Sequence, residues 1–179
     1  IDSDQVMGRT SYYVQKMYAE NRPTYNVACD NTTISPDSVY YAGGAIGLGT
    51  WDTQSEYKDI KVTENGNTIE LEAHTANAVL SKLFDGNYTN TATIECKARK
   101  ISGSEGFLIF FGMSPDGKQG YRYNIGGWGN TGTALQQLYA QGDQVVSRTA
   151  RQHIETDRWY DIRIELTPKK SSLYMDGEL

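Results

Sequence analysis

The run Tyr121-Arg122-Tyr123-Asn124-Ile125-Gly126-Gly127-Trp128-Gly129-Asn130-Thr131 carries the strongest chemical signal in this sequence. A tryptophan between glycines has no bulky chain neighbours, so it can be presented at a surface. An exposed indole face stacks on the C–H face of a sugar ring, and surrounding amides, carboxylates and guanidinium groups hydrogen-bond ring hydroxyls. One flat apolar platform with a few polar groups describes a small-ligand site. Trp128, Asn130, Tyr123, Arg122, Gln136 and Glu105 are the candidate carbohydrate-binding residues, with Trp128 stacking and the others hydrogen-bonding. A plainer reading stands beside it: Trp128 plugs the end of the domain and the glycines serve a bulge. Arg122 and Asn124 share one strand face, opposite Tyr121, Tyr123 and Ile125. Arg122 reads hydroxyls if that face is concave; otherwise it is a solvated arginine.

Other constellations are weaker. Trp51 sits in a Gly49-Thr50-Trp51-Asp52 turn, where a structural role is favoured, and Trp159 opens a strand expected to enter the core. Glu70 and Glu72 project from one face of an expected strand, followed by His74. Retaining glycoside hydrolysis needs an acid and a nucleophile across a cleft, and no second pair accompanies these two, so a solvated strand face is the better reading. His74 and His153 have no clustered partners, and the sequence supports no metal site and no cofactor motif. No catalytic residue is assigned.

The elements that would position these groups follow from composition and periodicity. The chain has 179 residues, enough for one full domain with an appendage, and a net charge of -5, which argues against a basic nucleic-acid-binding stripe. No apolar run approaches membrane-spanning length. The 18 glycines, 13 tyrosines and only 4 prolines suit a β-rich domain with many turns. Cys29 and Cys96 fit no metal spacing and read as free thiols in preference to a disulfide, Cys96 in phase with a buried strand face.

Residues 1–23 differ from the rest. A helix over about 11–21 is capped by Thr10 or Ser11, carries Tyr13, Val14, Met17 and Tyr18 on one face, and is stopped by Pro23. A polar linker follows over 24–42. From Gly43 the period becomes two: Ile69, Leu71 and Ala73; Ala92, Ile94, Cys96 and Ala98; Tyr160, Ile162, Ile164 and Leu166 each mark a core face. Phe107–Phe111 is apolar throughout and reads as a central strand covered on both sides, with strands over 121–125 and 134–139 to follow. Many short strands with turn residues between them indicate an antiparallel sandwich or barrel over 43–179.

Longer motifs carry resemblances. Gly44-Ala45-Ile46-Gly47-Leu48-Gly49-Thr50-Trp51, continuing to Tyr57-Lys58-Asp59-Ile60-Lys61-Val62, resembles the closing hairpin of concanavalin A-like (laminin-G-like) β-sandwiches. Here it comes first. That implies a jelly-roll sandwich that is circularly permuted, its final strands moved to the front to pair with late ones over 160–166 or 173–175. Ser11-Tyr12-Tyr13-Val14-Gln15-Lys16 with Asn21-Arg22 looks like the tail of the catalytic barrel in family 51 glycoside hydrolases, the α-L-arabinofuranosidases. Lys97-Ala98-Arg99-Lys100, Asn124-Ile125-Gly126-Gly127-Trp128-Gly129-Asn130 and Arg158-Trp159-Tyr160-Asp161 resemble the β-sandwich inserted in the same enzymes, from whose pattern the stretch Leu71 to Thr91 departs.

The resemblance implies a parent that removes terminal arabinofuranose by retaining chemistry, with two glutamates in a barrel upstream of Ile1. Both ends of the chain read as cuts. The sandwich would then be a non-catalytic, carbohydrate-binding-like accessory domain of a secreted, periplasmic or cell-surface enzyme, touching arabinose-containing polysaccharide and the barrel, and neither nucleic acid nor membrane. Two alternatives accompany it: a purely structural sandwich bracing the barrel, and a self-contained glycosidase. Some concanavalin A-like sandwiches hold calcium, but no cluster of aspartates here matches such a site.

Overall fold

In the computed structural model, residues 44–77, 82–84, 91–150, 152–167 and 170–179 are described. The expected helix over 11–21, the linker over 24–42 and Cys29 lie outside the described residues. The strands are β1 (Ala45–Gly49), β2 (Thr53–Glu64), β3 (Asn67–Leu71), β4 (His74–Ala76), β5 (Lys82–Phe84), β6 (Ala92–Gly103), β7 (Phe107–Met113), β8 (Gly120–Gly126), β9 (Gly132–Tyr139), β10 (Gly142–Ala150), β11 (Trp159–Thr167) and β12 (Lys170–Met175), with alternation of apolar and polar side chains clearest in β2, β6 and β11. They form two antiparallel sheets, ordered β10-β9-β8-β7-β1-β5 and β12-β11-β6-β2-β3, with β4 also on β2. This is the all-β antiparallel sandwich expected from the sequence.

The inner faces meet in one core. Ile46, Leu48, Phe107, Ile109, Phe111, Tyr121, Tyr123, Ile125 and Leu135 face inward from the first sheet. Tyr57, Ile60, Val62, Ile94, Cys96, Ala98, Tyr160, Ile162, Ile164 and Leu166 face them from the second. Phe107 joins the layers, with edge-on ring contacts to Tyr57 at 6.1 Å and Tyr160 at 6.0 Å. Burying each large side chain contributes about 1.5–3 kcal/mol. The Tyr57 hydroxyl, inside the core, donates to the Gly49 carbonyl at 2.7 Å and ties β2 to β1.

On β2 the inward residues shift from Thr53, Ser55 and Tyr57 to Ile60 and Val62. A change from odd to even positions needs one extra residue. The pairing of β2 with β6 shifts register between Lys58 and Lys61, and Asp59 takes φ 51° there, which makes the extra residue a β-bulge.

Several expectations change. The Trp51-Asp52 turn is no hairpin: β1 and β2 lie in different sheets, and the chain crosses between layers at that corner. Nor do these strands pair with β11 or β12. β1 sits between β7 and β5, and β2 between β6 and β3. The composition of β1 fits its interior place, since all its residues are buried. Ile69 is 59% exposed, because β3 is an edge strand that reaches past the core, and only Leu71 packs against it. Trp159 opens β11 but points outward: Tyr160, Ile162, Ile164 and Leu166 take the inner face. β10 is an edge strand without a buried apolar face, which is why periodicity did not reveal it.

Candidate functional site

Trp128 stands in a short left-handed turn over Gly127–Asn130, between β8 and β9. Gly126 enters it at φ 70°, and Trp128, Gly129 and Asn130 follow at φ 53°, 68° and 63°. A bulky residue at positive φ is a rare conformation that costs about 1–2 kcal/mol. Gly126 admits it: a β-carbon there would lie 2.7 Å from Ile154 Cγ1. Asn130 locks the turn from below. Its buried side-chain amide donates to the Ile154 carbonyl at 2.8 Å and accepts from the Ile154 N–H at 2.7 Å. The Thr131 hydroxyl donates to the Trp128 carbonyl at 2.9 Å.

The strained turn presents an indole that is 37% exposed, with the Arg148 guanidinium 4.1 Å from its ring centroid. Arg148 lies opposite Ala134 on β10 and approaches from the outer side of the first sheet. Glu105, in the loop between β6 and β7, is fixed beside it: its carboxylate accepts the Gly129 N–H at 3.2 Å, and its own N–H donates to Thr53 Oγ1 at 2.9 Å.

From this turn a polar row runs along the outer face of the first sheet. Arg122 on β8 stands opposite Gln136 on β9, and its Nε donates to Gln136 Oε1 at 3.0 Å. Its Nη2 pairs with the Asp143 carboxylate from β10. The guanidinium lies 5.9 Å from the Phe110 ring. Burial draws the Arg122 pKa below the usual arginine value, while Asp143 and then Glu105 push it back up. Asn124 and Gln136 are buried on the same face, beside Leu108, Phe110 and Leu138.

Tyr123 is turned the other way. Its hydroxyl lies 2.8 Å from Ser171 Oγ, and burial raises its pKa while that hydrogen bond opposes the rise. It lines a cavity of about 760 Å³ between the sheets, with Thr133, Gln152, Arg158, Ser171 and Asp176 among the other walls. The structure therefore gathers Trp128, Asn130 and Glu105 at one loop cluster, sets Arg122 and Gln136 on the adjoining outer face, and places Tyr123 inside.

Glu70 and Glu72 do not share a strand. β3 ends at Leu71, Glu70 pairs with Lys61 at 3.2 Å in the open, and Glu72 falls before β4. Among the described residues no group of three or more His, Cys, Asp or Glu is arranged to hold a metal ion. Sequence reasoning did not find Arg148. Its strand shows no core alternation, and no local pattern tied it to Trp128.

These features belong to an all-β antiparallel sandwich. The chain is similar to an extracellular exo-α-L-arabinofuranosidase of Streptomyces chartreusis, with 33% identity over 196 aligned residues that take in 94% of this chain. It spans only 23% of that protein's length. The relation expected from the motifs is thus found along nearly the whole chain. No family model matches the chain, and no solved structure matches it.

Proposed function

We propose that this chain is a non-catalytic accessory part of a secreted α-L-arabinofuranosidase and that its sandwich, residues 43–179, holds arabinose-containing polysaccharide. Residues 1–23 would belong to the end of the catalytic barrel, with 24–42 as the linker, and the two catalytic glutamates would lie in that barrel. The similarity to part of an extracellular arabinofuranosidase supports the setting.

The observation that carries the binding reading is Trp128. A tryptophan held at φ 53° with its indole partly exposed beside Arg148 costs stability in the free protein, and such strain persists where the surroundings over-determine it, commonly at ligand sites. Trp128 would stack on a sugar ring and Glu105 would accept hydroxyl hydrogens. Asn130 would hold the turn, and Arg122 with Gln136 would form the polar floor beside it. Tyr123 would contribute only to a ligand entering the space between the sheets. Trp128→Ala should weaken binding of arabinan or arabino-oligosaccharides by about tenfold or more, about 1.4 kcal/mol in calorimetry. Unchanged affinity would withdraw the assignment.

A further inference from the structure

We propose that Trp51 is a second stacking platform at the same end of the sandwich as Trp128, so that this rim holds a stretch of polysaccharide several sugar units long. The inference rests on the reading of Trp128 as a sugar platform and extends it from one ring to a chain.

Trp51 is 55% exposed, more than Trp128. Its corner follows β1, and the Trp128 turn follows β8. Both strands flank β7, one on each side. Gly49 stands opposite Leu108, and Ile125 opposite Phe107, so the two turns leave the same end of the sheet. Two strand spacings separate them, about 10 Å at the backbone. Two rings of a glycan with one unit between them span a comparable length.

The separation is fixed by the loop between the platforms. The Ser104 N–H donates to the Asp52 carbonyl at 3.0 Å, and its hydroxyl donates to Asp52 Oδ2 at 2.5 Å. The Glu105 N–H donates to Thr53 Oγ1 at 2.9 Å, and Glu105 Oε1 accepts the Gly129 N–H at 3.2 Å. Gly103 completes the clamp, since a β-carbon there would come within 2.3 Å of the Asp52 carbonyl oxygen. Hydrogen bonds therefore link one tryptophan turn to the other through Ser104 and Glu105. A platform pair set during folding need not be ordered during binding. The carboxylates of Asp52 and Glu105 belong to the linked loops, and carboxylates accept from sugar hydroxyls. Apolar, acidic, apolar is the order a chain of sugar rings and hydroxyls would match.

The test is calorimetry of the full chain with arabino-oligosaccharides from the disaccharide to the hexasaccharide. In the unmodified protein affinity should rise with length. Trp128→Ala should lose binding at every length. Trp51→Ala should bind the disaccharide as before but lose the gain with length, about tenfold at the hexasaccharide, and Trp51→Phe should recover much of it. Circular dichroism and Tm would show that each variant is folded. If Trp51→Ala binds the hexasaccharide as tightly as the unmodified chain while Trp128→Ala does not, the second platform is refuted and the first stands. If Trp128→Ala changes nothing, or the unmodified chain binds no arabino-oligosaccharide, the underlying reading fails and this inference with it.

Discussion

The two sheets carry the same alternation on their inner faces and opposite surroundings on their outer ones. Outside the second sheet lies a mesh of solvated ion pairs: Lys97 with Asp161 at 2.5 Å, Lys61 with Glu70 at 3.2 Å, Arg99 with Glu56 at 2.7 Å and Arg163 with Glu165 at 3.1 Å. Trp159 sits among them with Lys58 at 4.1 Å and Arg99 at 4.9 Å from its ring. Outside the first sheet Leu108, Phe110, Ala134, Leu138, Asn124 and Gln136 are all buried, and Arg122 is held among them. Exposed ion pairs contribute little and turn a face toward water. Buried amides beside aromatic rings do the reverse. The contrast between Trp159 and Trp128 follows from it. Two cations, Lys58 and Arg99, attend the first, whereas the second stands in a left-handed turn beyond the end of β8 with, among the described residues, Arg148 alone over its ring.

The sharpest way to break this comparison is to cut into both faces of β7. Phe111 faces the shared core and Phe110 faces outward, yet both are at most 2% exposed. Phe110→Ala should therefore cost about as much as Phe111→Ala, about 3–5 kcal/mol each by chemical denaturation. A loss at Phe110 close to that of an ordinary surface substitution would mean the outer face is wet and the contrast false.

Ion pairs offer the next test. Arg122 keeps 13% of its side chain exposed, and its removal leaves Asp143 and Gln136 without their partner beside Phe110. Arg122→Ala should cost about 2–3 kcal/mol, somewhat below a fully buried pair. Lys97→Ala, on the solvated face, should leave the urea midpoint unchanged within error. Equal losses at the two positions would remove the distinction between the faces.

The inner faces were legible because alternation reports them directly. Ala92, Ile94, Cys96 and Ala98 face the core as their spacing required, and so do Tyr160 through Leu166 on β11. The unbroken apolar run of β7 also announced its double burial. What alternation does not report is the partner across a layer. The β1–β2 segment read as a hairpin because two strand patterns flank a turn, whereas the structure sends them to opposite sheets. Trp159 read as core because it opens a core strand, but the phase set by Tyr160 turns it outward. The Trp128 turn was visible in its glycines. The Arg148 contact and the engagement of Asn130 with Ile154 were not, since each depends on chain that is distant in sequence.

Cys96 and Lys97, consecutive on β6, give the finest test because they face opposite sides of the second sheet. Burial, assisted by Asp161, pushes the inward Cys96 thiol up to about 12, against about 8.5 in an unfolded chain. Across that window the unfolded state releases a proton that the folded state retains, so stability is full below it and falls as pH rises. The slope approaches about 1.4 kcal/mol per pH unit. Buried Tyr57 is also raised, by burial and then by Cys96, and adds a fall in the same direction, but only from about pH 10 where an unfolded tyrosine ionises. Outward Lys97 is raised by its hydrogen bond to Asp161, so its contribution is likewise lost only above the ordinary lysine range. Among the described residues a decline that begins between about pH 8.5 and 10 is therefore specific to Cys96. Urea midpoints measured across that interval should fall in the unmodified chain and stay level in Cys96→Ala, whatever the absolute stability of the variant. A level profile in both would mean that the thiol meets water and that the inner face of β6 is less dry than its alternation implies.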